Sequence, residues 1–150
     1  MNTCVIYYSK FGHTHQVSES IAAAFLTNGS VKLTEAMDLT ADDFRDIDLM
    51  VMGCPTHKMN MPEDLKPLCK QLPRKCMQGK NCAVFDTSYE MSAFLNRFTA
   101  SKKLKSKLRK LGGKIVVNPE TFIVEGRKGP LRAGELERAA EWGNLIRQQI

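Results

Sequence analysis

The sequence predicts a three-layer, doubly wound α/β fold built on a five-stranded parallel sheet. Strand patterns alternate with helical patterns along most of the chain, which indicates strand-helix-strand units. The run from Leu49 to Gly53 is apolar throughout, as expected of a central strand covered by helices on both faces. Because crossovers between parallel strands are right-handed, few topologies remain, and we expect the strand order 2-1-3-4-5.

The predicted strands are short apolar runs separated by turn residues or helical patterns. The fifth is interrupted at Pro119 and continues beyond it. In chain order the strands are Cys4 to Tyr8, Val31 to Thr34, Leu49 to Gly53, Cys82 to Asp86, and Ile115 to Val117 with its continuation Thr121 to Val124.

Four segments show the apolar spacing of helices. Pro67 is tolerated in the second helix only if it lies in the first turn. The third, strongly basic helix ends at Gly112-Gly113, a common helix stop. The crossover from Ala36 to Ile47 is polar and has room for only a turn or two of helix. The apolar positions are Val17, Ile21, Ala24 and Phe25, then Leu65, Leu68, Cys69 and Leu72, then Leu104, Leu108 and Leu111, and finally Leu136, Ala139, Ala140, Gly143 and Ile146, which Trp142 borders as a core residue.

Length and composition favour one cytoplasmic domain over residues 1–150. A chain of 150 residues is long enough to bury a stable core. No apolar run approaches the roughly 18 residues of a membrane span, so we expect no membrane association. The five cysteines form no C-x-x-C pair, which indicates reduced, structural thiols. The three histidines lack the spacing of zinc ligands, and we expect no metal site.

The net charge of +6 is concentrated in the third helix, where six of the nine residues from Lys102 to Lys110 are Lys or Arg. Such a pattern is typical of an outer helix with a solvated basic face. A docking surface for an acidic partner protein is the alternative. Nucleic acid is not expected as a partner, because the segment lacks interleaved aromatic residues.

The segment from Val5 to Val17 carries most of the functional information. It consists of a strand, a loop with Ser9, Gly12 and Thr14, and then a helix. Backbone amides of such a loop and the first helical turn form an anion site, which the helix dipole strengthens. The loop lacks the Gly-Lys-Ser/Thr of a Walker A motif and the G-x-G-x-x-G of a dinucleotide site. The sequence therefore predicts a site for a single terminal phosphate.

This loop resembles the phosphate motif S/T-x-S/T-G-x-T of short-chain flavodoxins, whose flavodoxin-like fold has the strand order given above. Ser9, Gly12 and Thr14 match the motif, and Lys10 and His13 occupy its variable positions. Phe11 stands where the family usually has a hydroxyl, so one phosphate hydrogen bond is missing. We expect the Phe11 ring to pack elsewhere, and Lys10 can compensate by charge.

Two further segments resemble the loops that hold the flavin ring in this family. In the first, His57 stands where an aromatic residue commonly stacks on the inner ring face; this loop is Pro55, Thr56, His57 and Lys58. The second resembles the family's D-S-S-Y-E loop and comprises Asp86, Thr87, Ser88 and Tyr89, with Met91 just beyond. The resemblance assigns Tyr89 to the outer ring face. Backbone groups of both loops would match the polar edge of the ring.

The resemblance spans essentially the whole chain and implies an FMN-binding flavoprotein that carries one or two electrons between protein redox partners, as a monomer. Two alternatives stay open. One is an FMN-dependent NAD(P)H:quinone reductase, which needs an open ring face that Tyr89 would cover. The other is a flavodoxin-like interaction domain without a cofactor. Two features suggest it: Phe11 replaces a hydroxyl of the phosphate motif, and the basic surface suits a partner protein.

Overall fold

A computed structural model describes all residues from Met1 to Ile150 and contains a single parallel sheet. The strand order is β2-β1-β3-β4-β5, with β6 also beside β4, and every strand pair is parallel. The strands are β1 Asn2–Tyr7, β2 Ser30–Glu35, β3 Leu49–Pro55, β4 Asn81–Ser88, β5 Lys114–Ile115 and β6 Glu120–Ile123. The predicted order 2-1-3-4-5 is confirmed, since β5 and β6 are the two parts of the interrupted last strand.

Four α-helices connect or follow the strands. They are α1 His13–Ala23, α2 Leu65–Gln71, α3 Ala100–Lys110 and α4 Glu135–Gln148. Pro67 lies in the first turn of α2, as predicted, and Gly112 with φ of 95° follows the end of α3. The polar second crossover contains only the short 3₁₀ turns Ala36–Asp38 and Ala41–Phe44.

The sheet separates two apolar cores, and β3 shows how the sequence fills both. Its side chains alternate, so that Met50 and Met52 belong to the core under α2 and α3, while Leu49 and Val51 belong to the core under α1 and α4. All four side chains are buried, which explains the continuous apolar run. Trp142 is a core residue, as predicted.

The two central strands continue further than their apolar runs indicate. The pairing of Gly53 with Phe85 continues through two more residue pairs and carries β3 to Pro55 and β4 to Thr87. Ser88 extends β4 by one more residue, because it pairs with Ile123 of β6. Polar residues in this extension look like turn signals in the sequence, although the ladder is still intact there. By contrast β5 is shorter than predicted and ends at Ile115, shortly before the interruption at Pro119.

All five cysteines are free thiols, in agreement with the sequence. Burial raises the pKa of Cys4 to about 11 and the pKa of Cys82 to about 12, so neither is a reactive thiolate near neutral pH. No helix has both the length and the apolar character needed to cross a membrane.

Candidate functional site

A cavity of about 470 Å³ opens at the carboxyl ends of β1, β3 and β4. This is the point where the strand order reverses, and ligands of doubly wound sheets bind in such a crevice. Four segments surround the cavity. We call them the phosphate loop, residues 9–14; the second loop, residues 55–64; the third loop, residues 87–91; and the hairpin, residues 124–131.

The phosphate loop ends in an open anion cradle. Gly12 has φ of 90°, a left-handed conformation that glycine adopts readily, and its N–H donates to Ser9 Oγ at 3.0 Å. Helix α1 starts at the next residue without a side-chain cap, so the amides of its first turn are available to a ligand. A Cβ atom added at Gly12 would meet nothing within 4 Å, which confirms that this side of the loop is open.

Thr14 connects the phosphate loop to the third loop. Its Oγ1 atom lies 2.9 Å from Thr87 Oγ1, and both residues are buried at the base of the cavity. The two hydroxyls therefore form one hydrogen-bonded pair that fixes the distance between the loops.

Phe11 does not pack into the protein, contrary to our expectation. The ring remains 42% exposed and lines the cavity rim. The Lys10 ammonium lies 5.9 Å from its centroid and lines the cavity as well. The reason is local, since Phe11 stands in the loop between β1 and α1 and packs against neither apolar core.

The second loop contains a strained turn. The backbones of His57 and Asn60 exchange two hydrogen bonds, of 2.8 and 3.0 Å. Between them Lys58 has φ of 49° and Met59 has φ of 60°. Turns with two left-handed central residues normally use Asn or Gly, because a Cβ atom makes this conformation costly. The sequence Lys-Met gives no sign of such a turn, and strain of this kind often marks functional sites.

Asp86 lies beneath the cavity wall and does not line the cavity. Its carboxylate is fully buried and accepts hydrogen bonds of 2.9 Å from Thr56 Oγ1 and from the N–H of Ser101. The Thr56 hydroxyl in turn accepts from the N–H of Ala100 at 2.8 Å. Asp86 thus attaches the start of α3 to the second loop, a role that the sequence does not reveal.

The third loop presents an aromatic ring to the cavity. Tyr89 is 50% exposed and lines the cavity together with Thr87, Ser88 and Met91. The loop is attached to the hairpin by Arg132, which binds Glu90 at 2.9 Å and Glu125 at 2.8 Å. These contacts with the Arg132 guanidinium lower the pKa of Glu90.

The structure brings together all the predicted site residues except Gly12 and Asp86, which do not line the cavity. Those that line it are Ser9, Lys10, Phe11, His13, Thr14, Pro55, Thr56, His57, Lys58, Thr87, Ser88, Tyr89 and Met91. The residues that our prediction missed are Tyr8, Met59, Pro62, Glu63, Asp64, Val124 and Arg127. The Tyr8 hydroxyl donates to Asp64 at 2.8 Å, which raises the pKa of Tyr8 to about 12.

Most of these missed residues carry no motif of their own. Tyr8 and Val124 end predicted strands, so the strand order alone places them at the cavity. Arg127 follows the last strand, and it reaches the cavity only because the hairpin folds back toward the phosphate loop.

Comparison with known proteins identifies related chains. A family model described as "Flavodoxin" matches residues 5–142. A flavodoxin from Picosynechococcus sp. is 27% identical over 113 residues, which are 75% of this chain and 66% of that protein. A flavodoxin from Synechocystis sp. is 26% identical over the same coverage. The matched region therefore spans just under two thirds of each curated relative.

Solved structures show the same fold. Flavodoxin 2 from Bacillus cereus has a TM-score of 0.83 at 16% identity, with 100% of both chains covered. A flavodoxin from the domain Archaea has a TM-score of 0.78 at 18% identity, covering 99% of this chain and 97% of that one. The WrbA-like flavodoxin protein from Agrobacterium tumefaciens has a TM-score of 0.74 at 20% identity, covering 99% of each chain.

Proposed function

This chain belongs to the flavodoxin family, and from that premise we propose that it binds FMN in the cavity and carries one or two electrons between protein redox partners. The observation that carries the proposal is the juxtaposition in one cavity of the uncapped start of α1 with the exposed ring of Tyr89. The first feature suits a phosphate and the second a flat aromatic ring. We further propose that residues 1–150 act as one domain.

The donors and the shape of the cavity suit the parts of FMN. A volume of about 470 Å³ lies within the usual range of cofactor sites. Ser9, Thr14 and the free amides of the first turn of α1 would hold the phosphate, with Gly12 forming the turn that positions them, and Tyr89 and His57 would hold the two faces of the ring. Backbone groups of the second and third loops would bind its polar edge. When bound, FMN supplies reversible transfer of one or two electrons, and the chain contributes binding, orientation and charge.

The exposed face of α3 is our candidate for the partner surface. Leu104 and Leu108 are buried on the inner face of this helix, and none of its cations lies within 4 Å of a carboxylate. Three of these cations are exposed and the other three are half-buried: Lys103, Arg109 and Lys110, and Lys102, Lys105 and Lys107. Burial and the charges of Arg109 and Lys102 lower the pKa of Lys105, as expected where cations repel one another. Unpaired charge of one sign steers partners of the opposite sign. We therefore propose a partner with an acidic docking surface.

Exposed apolar side chains occupy the segment that joins the cavity to this helix along the chain. Phe94, Leu95 and Phe98 are 65%, 43% and 46% exposed and follow the cavity residue Met91 along the chain. The rings of Phe94 and Phe98 pack edge to face at 5.8 Å. Exposed apolar groups beside a charged surface are typical of protein interfaces, which supports docking next to the cofactor.

The five reduced thiols and the charged surface fit a monomer in the cytoplasm, which we propose as its state and location. No observation favours the reductase over the electron carrier.

The absorption spectrum of the purified protein tests this function. We expect flavin bands, release of FMN on denaturation, and stepwise reduction by dithionite in two one-electron stages or one two-electron stage. A colourless protein that takes up no added FMN would refute the proposal. Steady-state oxidation of NAD(P)H by a quinone would instead support the reductase.

A further inference from the structure

The hairpin holds a short turn in a fixed position. Val124 and Leu131 form an antiparallel bridge, and the N–H of Glu125 donates to the carbonyl of Pro130 at 2.9 Å. At the tip the N–H of Gly129 donates to the carbonyl of Gly126 at 3.0 Å. Arg127 and Lys128 are the two central residues of this tip, and the main-chain bonds fix their backbone.

The tip lies against the first residue of α1. His13 Nε2 donates to the carbonyl of Lys128 at 2.9 Å. Gly129, with φ of 93°, approaches so closely that an added Cβ atom would lie 2.2 Å from the His13 ring. The turn is therefore docked on the phosphate loop, directly beside the helix end that we assign to the phosphate.

The Arg127 side chain lines the same cavity as Ser9 and Thr14. It is exposed, and no carboxylate lies within 4 Å of its guanidinium. Arg132 and Arg138, the other arginines of this region, each bind two carboxylates. Arg127 is thus the arginine here that is free to bind a ligand in the cavity.

Resting on the proposed function, we infer that Arg127 binds the phosphate of FMN and compensates for the hydroxyl that Phe11 replaces. A guanidinium donates two parallel hydrogen bonds to phosphate oxygens, and these are among the strong contacts in proteins. The phosphate is dianionic or nearly so at neutral pH, and the N-terminus of α1 adds positive potential at the same point. The cradle would then combine backbone amides, hydroxyls and one cation.

A comparison of the affinities of the apoprotein for FMN and for riboflavin isolates the contribution of the contact between Arg127 and the phosphate, because riboflavin lacks the phosphate. The probe is quenching of flavin fluorescence. For Arg127→Gln we expect about tenfold weaker binding of FMN and no change for riboflavin. Added salt should weaken FMN binding more in the wild type than in the variant, because salt screens the attraction between Arg127 and the phosphate, which only the wild type has.

Two control variants remove a cation elsewhere. Lys128→Gln keeps its backbone carbonyl for His13 and changes the adjacent side chain, which does not line the cavity, and Arg97→Gln changes an exposed arginine outside the cavity. Both should bind FMN like the wild type. Circular dichroism and thermal unfolding check that each variant is folded.

Several outcomes would overturn the inference. One is an unchanged affinity of Arg127→Gln for FMN, and another is an equal loss of affinity for FMN and for riboflavin in that variant. A third is a loss of FMN affinity in Lys128→Gln as large as that in Arg127→Gln, which would indicate that the general positive charge matters and not a direct contact. A wild-type protein that binds neither flavin would refute the proposed function and this inference together.

Discussion

At the scale of single residues, Lys58 and Met59 combine backbone strain with a position at the cavity. We predict that Lys58→Gly raises the free energy of unfolding by about 0.5 to 1 kcal/mol, because glycine removes the Cβ clash of the left-handed conformation but loses more chain entropy on folding. Urea unfolding monitored by circular dichroism measures the change.

Two matched substitutions test that reasoning. Lys75 has φ of 58° outside the cavity, so Lys75→Gly should stabilise by a similar amount. Lys70 lies in the last turn of α2, and Lys70→Gly should destabilise by about 0.5 to 1 kcal/mol because glycine is a poor helix former. Destabilisation by all three substitutions would contradict the presence of strain in the second loop.

Tyr89 is the residue on which ring binding most depends. Removing the ring in Tyr89→Ala should weaken FMN binding about tenfold, since an aromatic contact and its buried area together contribute on the order of 1 to 2 kcal/mol. Phe94→Ala, which removes an exposed ring outside the cavity, is the control. Isothermal titration calorimetry of both apoproteins compares the losses, and equal affinity of Tyr89→Ala and wild type would exclude stacking on Tyr89.

At this scale the sequence predicts residues that belong to a motif and misses those that tertiary structure brings in. Ser9, Thr14 and Tyr89 follow strand ends in recognisable patterns, so their position at the cavity was predictable. Arg127 reaches the cavity only because the hairpin folds back onto His13. The buried carboxylate of Asp86 binds the start of α3, a contact between residues 15 positions apart that no local pattern indicates.

At the scale of elements, Glu135 connects the start of α4 to the edge of the sheet. Its carboxylate accepts from the N–H of Ile123 at 2.6 Å and forms an ion pair with Arg138 at 2.6 Å. Burial raises the pKa of Glu135, but the hydrogen bonds from Arg138 and Ile123 and the charge of Arg138 together lower it by more. The pKa of Glu135 in the folded protein therefore lies below its ordinary value of 4.5. The ionised carboxylate therefore stabilises the folded state.

A defined pH dependence follows from the direction of this shift. A lowered pKa in the folded state gives stability that is fully present above pH 4.5 and is lost as the pH falls through the folded-state value. Glu135→Gln should cost about 1 to 3 kcal/mol at pH 7 and progressively less below pH 4.5. Urea unfolding of both proteins between pH 7 and pH 3 measures the loss of stability and its dependence on pH. A loss of stability that is independent of pH would assign the effect to packing instead of charge.

The existence and order of the elements were predictable, whereas several of their ends were not. Apolar alternation and right-handed crossovers are strong signals, so the parallel sheet follows from them. The extension of β3 to Pro55 depends on its pairing with β4, and the extension of β4 to Ser88 depends also on its pairing with β6, which residues of one strand alone do not reveal. The end of α3 was clear because Gly112 adopts a conformation that ends helices.

At the scale of the whole molecule, unpaired positive charge lines the cavity. Lys10, Lys58 and Arg127 line it without ion pairs. Of its two carboxylates, Glu63 is paired with Lys66 and Asp64 accepts a hydrogen bond from the neutral Tyr8 hydroxyl, so three cations face one carboxylate without an ion pair. Positive surroundings favour the reduced cofactor, which carries more negative charge. We therefore predict that the midpoint potential of the bound cofactor falls as the salt concentration rises, because salt screens these cations. The Debye length decreases from about 30 Å at 0.01 M salt to about 3 Å at 1 M.

Spectroelectrochemical titration at low and high potassium chloride measures this shift. Arg97→Gln, which removes a cation away from the cavity, serves as the control and should show the wild-type salt response. A potential that rises with salt would mean that the carboxylates dominate the local field.

The central claim is that the cavity at the switch point of the sheet binds FMN through its phosphate and its ring. Fluorescence titration of the apoprotein with FMN tests it most directly, with Thr14→Val carried through the same titration because the buried Thr14 hydroxyl lies at the phosphate end. We predict quenching to a sharp 1:1 end point in the wild type and weaker binding in the variant. Unquenched FMN fluorescence in the presence of excess folded protein would contradict the claim.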